Sequence, residues 1–424
     1  MKILSIETSC DETAVCLIEA EGDFGPPPGG FRFRVLGDAL HSQIAVHAPY
    51  GGVFPDLAKR EHAKHLVPLL ERALKESEVP EIGRPTSNFA TAKEKGFTKP
   101  LSAIADTHKI KNILAREPEL FDALELFLDT HGRSDVDAIA VTAGPGLEPA
   151  LWVGVNFAKA LSAVWEIPIV AVNHLEGHIV MAAIHFSDQN YSSILQNTAI
   201  EGGLHTIDFP ALALLISGGH TELDLMTDWM EYRMLGQTRD DAVGEAFDKA
   251  ARMLGLPYPG GPHVAALAAR ARTSVGKGFT KPLSLPRPMM NDDSYDFSFS
   301  GLKTAVRNLV GGQMLSDKEK MAIAREFEDA AADVLVAKTA RAVEEYGART
   351  VLVGGGVSAN QHIRLRLAGV LTEAGCQLLV PSPELATDNA LMIALSGYFR
   401  ALKKEFVEPS ALRADGNLKL GRKI

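Results

Sequence analysis

The chain has 424 residues, of which 46% are hydrophobic and 23% are charged, and a net charge of −10. This balance is ordinary for a globular protein, and the length suits two lobes with separate cores. No apolar run approaches the roughly 18 residues of a membrane span, and the acidic charge argues against free-standing nucleic-acid binding. The N-terminus is unlike a signal peptide, and three cysteines without metal-site spacing favour a reducing cytoplasm.

The first half of the chain predicts alternating strands and helices. Helices are expected at 56–77, with a bend at Pro68, and at 147–165. Two polar stretches, at about 78–133 and 186–208, are rich in Gly, Pro, Ser and Asn and are predicted to be surface insertions. Strands are expected at 2–7, 14–19, 31–40, 136–142 and 167–172.

The second half repeats this order of elements. Strands at 211–216 and 221–226 flank a small-residue loop, and a strand at 350–353 leads into a glycine-rich turn and a helix. The repetition predicts a duplicated α/β fold with a first lobe at 1–208, a second lobe at 209–424 and a cleft between them.

One eight-residue segment occurs twice, at 95–102 and at 277–284. A repeated docking element would explain it, but a translated DNA repeat tolerated in two loops is the simpler interpretation. No function is assigned to either copy.

The sequence Asn173-His174-Leu175-Glu176-Gly177-His178 follows the apolar strand at 167–172. If a helix begins near His174, then His174 and His178 lie on one face and can reach one metal ion. Glu176 would point about 200° away from each histidine, so the register is not that of the zinc-protease motif H-E-x-x-H. Gly177 indicates close backbone packing. From these residues alone, a metal pair and two buried, hydrogen-bonded histidines are equally good interpretations.

Polar or glycine-rich loops follow several predicted strands. Ser9, Asp11 and Glu12 lie in a loop that can hold a phosphate, although a plain polar hairpin explains it better. The loop at 217–221 lets a ligand approach the backbone, and 354–356 precedes a helix whose N-terminus can bind phosphate. A tight turn would explain any one of these loops. Their occurrence in two matching lobes predicts a nucleotide cleft.

Two acidic features occur in the second half. Asp241, Glu245 and Asp248 fall on one helical face, where either solvent or ligand hydroxyls must accommodate them. Asp388 opens an apolar helix, and a lone carboxylate there usually caps the helix. It is otherwise the oxygen ligand that two histidines lack.

Together these motifs resemble one family, the tRNA N6-adenosine threonylcarbamoyltransferases, which include bacterial TsaD and its archaeal and eukaryotic relatives. The resemblance follows chain order over nearly the whole sequence, apart from the insertions. It implies the two-lobe fold of actin, Hsp70 and sugar kinases. The matching segments are 6–13, 47–52, 142–147, 174–178, 217–221, 244–249, 258–262, 296–303, 354–360 and 387–389.

The resemblance implies transfer of a threonylcarbamoyl group from threonylcarbamoyl-AMP to N6 of adenosine 37 in tRNAs that read codons beginning with A. It implies one metal ion, usually Fe2+ with Zn2+ as the alternative, bound by His174, His178 and Asp388. The nucleotide contacts that it implies are Leu215, Ile216, Ser217, Gly218, Gly219, Asp248, Gly261 and Asn360.

The sequence departs from the family pattern at two positions. Asn173 stands where relatives often have another histidine, and Ala390 stands where many have glycine. Neither change removes an implied ligand, but Ala390 bears on helix packing beside Asp388.

The implied partners are tRNA, an upstream adenylate-forming synthase, a TsaB-like paralogous subunit and a TsaE-like ATPase, with no membrane. Three rival interpretations stay open at this point. A sugar-kinase-like phosphotransferase leaves the histidine pair unused, and a metallopeptidase is opposed by the register of Glu176. A nucleotide-gated binding module would have no chemistry of its own.

Overall fold

Two β-sheets organise the computed structural model, which describes residues 1–25, 30–77, 107–187, 200–274, 283–312 and 314–422. Within those residues, the first sheet has seven strands in the order β5-β4-β1-β2-β3-β7-β6. Its strands are β1 (Lys2–Glu7), β2 (Glu12–Glu21), β3 (Arg32–Ser42), β4 (Ala138–Gly144), β5 (Ile169–Asn173), β6 (Ile184–Phe186) and β7 (Glu201–Leu204).

The second sheet has five described strands in the order β10-β9-β8-β11-β12. Its central strand pairs antiparallel with β9 on one side and parallel with β11 on the other. In the first sheet β1 pairs in the same way with β2 and β4. This shared arrangement confirms the predicted duplicated α/β fold. The strands are β8 (Ala211–Ile216), β9 (Thr221–Asp228), β10 (Glu231–Gln237), β11 (Thr350–Gly354) and β12 (Gln377–Leu379).

The helices cover both faces of these sheets. They are α1 (Ile44–His47), α2 (Pro55–Ser77), α3 (Thr107–Ile113), α4 (Pro118–Thr130), α5 (Glu148–Trp165), α6 (His174–Ala182), α7 (Val243–Met253), α8 (Gly260–Thr273), α9 (Ser300–Val310), α10 (Asp317–Tyr346), α11 (Gln361–Glu373) and α12 (Ala390–Leu402). None of these described helices is long and apolar enough to cross a membrane.

Helix α6 lies between the two sheets, and all nine of its residues are buried. Val180 and Met181 pack into the apolar cluster on the inner face of the first sheet. Leu175 and Ile179 pack into the cluster on the inner face of the second sheet. The helix that carries both histidines therefore packs against both sheets.

The C-terminal part of the chain returns to the first sheet. Helix α12 packs on the first sheet beside β1 and β2, and Val407 bridges to Ile169 of β5. Every residue of α12 except Leu402 is buried. A helix that is apolar on all sides needs apolar neighbours on all sides. Because α6 already covers the inner face of the second sheet, α12 finds those neighbours on the first sheet.

The two stretches predicted as insertions differ from that prediction where they are described. Residues 78–106 and 188–199 lie outside the described residues, as do 95–102 and nearly all of 277–284. Helix α4 buries Leu120, Leu124 and Phe127 in the core of the first lobe, and β7 pairs with β3. The 120, 124 and 127 spacing is a helical stripe that the polar surroundings concealed.

His62 of α2 gives the fold a specific pH dependence. Its Nδ1 lies 2.8 Å from Thr13 Oγ1, and its Nε2 lies 3.1 Å from the Cys10 carbonyl oxygen. Burial lowers the pKa of His62 to about 4. An unfolded histidine titrates near 6.5, so the unfolded chain takes up a proton before the native protein does. The stability that the neutral His62 side chain contributes is present above pH 6.5 and is lost as the pH falls toward 4.

We expect His62 to account for a loss of about 2 kcal/mol of unfolding free energy between pH 7 and pH 5. Urea unfolding of the wild-type chain and of His62→Gln at both pH values measures it. The difference between the two proteins should shrink at pH 5. An equal loss in both would show that His62 does not carry this dependence.

Candidate metal centre

The predicted helix begins at His174, as the sequence indicates. Asn173 ends β5 and caps α6, because its Oδ1 accepts a hydrogen bond of 2.9 Å from the Leu175 amide. One turn of helix separates His174 from His178, so both imidazoles emerge on one side. The distance between the ring centroids is 4.8 Å, and the ring planes are nearly perpendicular at 85°.

Asp388 meets this pair from the other end of the chain. Its Oδ1 lies 3.1 Å from His178 Nε2 and 3.4 Å from His174 Nε2. Asn389, the next residue, caps α12 by accepting from the Met392 amide at 3.0 Å. The helix cap is therefore Asn389 and not Asp388, which was the other interpretation of Asp388 from the sequence. One donor atom from each of the three side chains lies within 4.8 Å of the others.

In a second group, His41, Glu61 and His65, one donor atom from each side chain also lies within 4.8 Å of the others. Its two imidazoles, however, stack face to face, with centroids 3.7 Å apart and planes 22° apart. Imidazole lone pairs lie in the ring plane, so two stacked rings cannot direct them at one ion. The perpendicular rings of His174 and His178 can. The donor geometry therefore favours the cluster at Asp388.

Glu7 contacts the Nδ1 side of the His174 ring. Its side chain is fully buried, and its Oε2 accepts a 2.6 Å hydrogen bond from the Thr142 hydroxyl. His174 Nδ1 lies 3.2 Å from that oxygen and 3.2 Å from Ser9 Oγ. A proton held on Nδ1 by the carboxylate leaves the Nε2 lone pair facing Asp388. Sequence analysis missed this role of Glu7, and a carboxylate ending a buried strand was the available signal.

The electrostatics of the cluster favour a positive charge between the histidines. Burial alone would lower the pKa of His174, but the carboxylates of Asp388 and Glu7 raise it well above its usual value. Burial would raise the pKa of Asp388, and the two histidines nevertheless lower it. A proton or a metal ion can supply the charge that this donor set stabilises. Two imidazoles and a carboxylate are ligands suited to Fe2+ and Zn2+.

The loop that follows β1 lies beside this cluster. Ser9 contacts His174, as described, and Ser42 Oγ lies 3.3 Å from Glu12 Oε1. Burial, together with the neighbouring charges of Asp11 and Asp388, raises the pKa of Glu12 well above its usual value. A protonated Glu12 can donate a hydrogen bond to a phosphate instead of repelling it.

The loop after β8 approaches the cluster from the second lobe. Leu215 and Ile216 are buried within the strand, and the Ser217 hydroxyl accepts a 3.0 Å hydrogen bond from the His220 amide. Gly218 and Gly219 face open space. Burial and the charges of His174 and His178 lower the pKa of His220 to about 4. His220 is a second residue that sequence reasoning did not single out.

A family model described as TsaD, tRNA N6-adenosine threonylcarbamoyltransferase, matches residues 34–82 and 122–395. The chain belongs to this family. A curated relative with the same enzyme name, from Aromatoleum aromaticum, is 38% identical over 401 residues, which cover 95% of this chain and 92% of the relative. The resemblance found in the motifs is confirmed, and the chain is an acyltransferase that modifies tRNA adenosine.

Two solved structures resemble the chain at a distance. HypF from T. kodakarensis has a TM-score of 0.45 at 13% identity, over 70% of this chain and 44% of its own. A ROK hexokinase from Thermus thermophilus has a TM-score of 0.42 at 12% identity, over 95% of this chain and 100% of its own.

Two of the residues that the family resemblance implies as nucleotide contacts form hydrogen bonds with other parts of the protein. Asp248 Oδ1 accepts from the Gly260 amide at 2.7 Å and from the Gly261 amide at 3.3 Å. Asn360 caps α11 by accepting from the Ile363 amide, and its Nδ2 donates to Glu328 at 2.7 Å. Asp248 thus shapes the turn at Gly261, which faces open space. The Asn360 side chain would have to leave these partners to contact a nucleotide.

Glu176 has no access to the cluster. It is fully buried and forms a two-point ion pair with Arg400 of α12, with N–O distances of 2.7 and 2.8 Å. A zinc peptidase would need this carboxylate as a base beside the metal. The ion pair confirms the expectation that Glu176 points away from the histidines, and it adds to the case against a metallopeptidase.

Gly177 lies directly against α12. A Cβ atom at this position would lie 3.0 Å from Met392 Cγ and 3.2 Å from Ile393 Cδ1. The close packing that the glycine indicated is therefore confirmed.

We expect Gly177→Val to lower the unfolding free energy by about 1–3 kcal/mol, because the added methyl groups overpack this contact. Gly369→Val is the matched control, since Gly369 is inside α11 with no atom near its Cβ position. Urea unfolding measures both. A loss at Gly369 as large as that at Gly177 would assign the effect to helix propensity instead.

Proposed function

We propose that this acyltransferase moves a threonylcarbamoyl group from threonylcarbamoyl-AMP to N6 of adenosine 37 in tRNAs that read codons beginning with A. The observation that carries the proposal is the convergence of His174, His178 and Asp388 beside the glycine loop of the second lobe. A phosphotransferase would use the loops alone. It would leave two buried histidines and a half-buried aspartate, which converge as metal donors, without a role.

In this proposal His174 Nε2, His178 Nε2 and Asp388 Oδ1 hold one Fe2+ ion, with Zn2+ as the alternative. The bound ion would supply a Lewis acid that polarises the carbamoyl oxygen or the adenylate. Glu7 orients the His174 ring for this purpose through its contact with Nδ1. The near-perpendicular histidine rings and the two carboxylates support the choice of site.

The adenylate would lie along the open glycines. Gly218, Gly219 and Gly261 face open space, so a phosphate or ribose can approach their backbone. The loop that carries Ser9, Asp11 and Glu12 would lie beside the phosphate, and the raised pKa of Glu12 would lessen the repulsion between its carboxyl group and the phosphate. Asp248 would orient the turn that meets the ribose. The remaining proposed nucleotide contacts are Leu215, Ile216, Ser217 and Asn360.

The carbamoyl carbon is already activated by its AMP leaving group, and the adenine amine is a weak nucleophile. Holding the two at contact distance should therefore supply much of the rate. The proposed adenylate contacts come from the loop after β1 and from loops of the second sheet, so the cleft itself would provide this positioning.

The net charge of −10 disfavours tight binding of tRNA by this chain alone. We infer that partners supply the missing basic surface, namely a TsaB-like paralogous subunit and a TsaE-like ATPase. An adenylate-forming synthase must act upstream. We place the enzyme in the cytoplasm, where tRNA is modified and where its three free cysteines stay reduced.

The test is complementation of a transferase-deficient strain, followed by nucleoside mass spectrometry of its tRNA. The wild-type chain should restore N6-threonylcarbamoyladenosine. His178→Ala should lower its formation by at least about 100-fold, because a Lewis acid contributes several kcal/mol. His185→Ala, at an exposed histidine of β6, is the matched control and should complement fully. Full modification by His178→Ala would refute the role of the metal.

A further inference from the structure

Glu176 stands between the two histidines in sequence and is engaged on the opposite side of α6. Besides its two contacts with Arg400, it accepts a hydrogen bond from Tyr232 of the second sheet. Arg400 also donates to Glu405 at 2.6 Å. A carboxylate this deep requires full compensation of its charge, and here it receives that compensation from two separate elements.

Helix α12 contacts α6 at three places along its length. Asp388 precedes its first turn and reaches His174 and His178. Met392 lies against Gly177 in the first turn. Arg400 lies in the last turn and holds Glu176. Four residues of α6 therefore contact either α12 or Asp388, which lies two residues before it: 174, 176, 177 and 178.

We propose that the Glu176–Arg400 ion pair positions the metal ligand Asp388. Apolar contacts hold two helices together but allow small rotations and shifts along the axis, because the hydrophobic effect is not directional. A two-point guanidinium–carboxylate contact fixes both distance and orientation. With the last turn of α12 fixed at Glu176, the first turn is held where Asp388 Oδ1 meets both Nε2 atoms. This inference rests on the proposed metal centre.

The alternative is that the pair only stabilises the fold. Replacement of a buried ion pair by apolar residues of similar volume is often neutral for stability, whereas removal of one partner is costly. The double variant Glu176→Leu with Arg400→Met therefore separates the two roles. It keeps the packing of α12 on α6 and removes the directional contact.

The experiment is Co2+ titration of the purified full-length chain, followed by visible absorption and calorimetry, with thermal unfolding measured in parallel. The wild type should bind one Co2+ at the cluster. The double variant should unfold near the wild-type temperature but bind Co2+ about 10–100-fold more weakly, the range found for residues behind metal ligands. Its absorption spectrum should also change, because Asp388 is displaced.

Lys59 and Glu117 provide the control. Their ion pair of 3.1 Å joins α2 to the residue before α4, and Glu117 is almost fully buried. Lys59→Met with Glu117→Leu should leave Co2+ affinity and the spectrum unchanged. Glu176→Gln, which keeps the shape of the side chain, gives a second test if the double variant does not fold. It should weaken Co2+ binding in the same direction.

The outcomes distinguish the two proposals. If the wild type binds Co2+ and both Glu176 variants bind it equally well with an unchanged spectrum, the positioning role is wrong and the metal centre stands. If the wild type does not bind Co2+, the proposed metal centre itself fails. A loss of affinity in the Lys59–Glu117 variant as well would assign the effect to general loosening of the fold and overturn the positioning role.

Discussion

The burial of α6 between the two sheets is the constraint on which the rest of the structure depends. A helix with no exposed residue must find a partner for every polar group it carries. His174 is paired with Glu7 and Ser9, Glu176 with Arg400, and His178 with Asp388. These partners come from strand β1 and the loop after it, from the loop before α12 and from the end of α12. Pairing the polar groups of one short helix therefore brings distant parts of the chain together.

The same constraint explains why a site forms in the cleft. The apolar residues of α6 divide between the two sheets, which places its polar N-terminal turn at the junction of the lobes. Two carboxylates then face two imidazoles where water has little access. Such a site stabilises a cation strongly. The glycine loop of the second lobe approaches the histidines, so the candidate metal donors and an open backbone surface share one cleft. The proposed transfer from an adenylate would use both of these features.

Local patterns predicted the local parts of this arrangement. The i and i+4 histidines, the start of α6 and the close contact at Gly177 all follow from spacing and residue type. Asp388 is 210 residues from His178, and only the family resemblance connected them. Glu7 and Arg400 were missed. The position of Glu7 at the end of a buried strand indicates that its carboxylate needs a partner, but no local pattern shows that either residue faces α6. The return of α12 to the first sheet was missed for a related reason. Its apolar pattern shows that it is buried but not which sheet buries it.

The most direct test of this account is anomalous diffraction, at the iron absorption edge, from crystals of the full chain loaded with Fe2+. The account predicts one peak at about 2.0–2.2 Å from His174 Nε2, His178 Nε2 and Asp388 Oδ1, with Glu7 still in contact with His174 Nδ1. An ion bound elsewhere would contradict the account. So would an ion held by the histidines alone, with Asp388 turned away toward solvent.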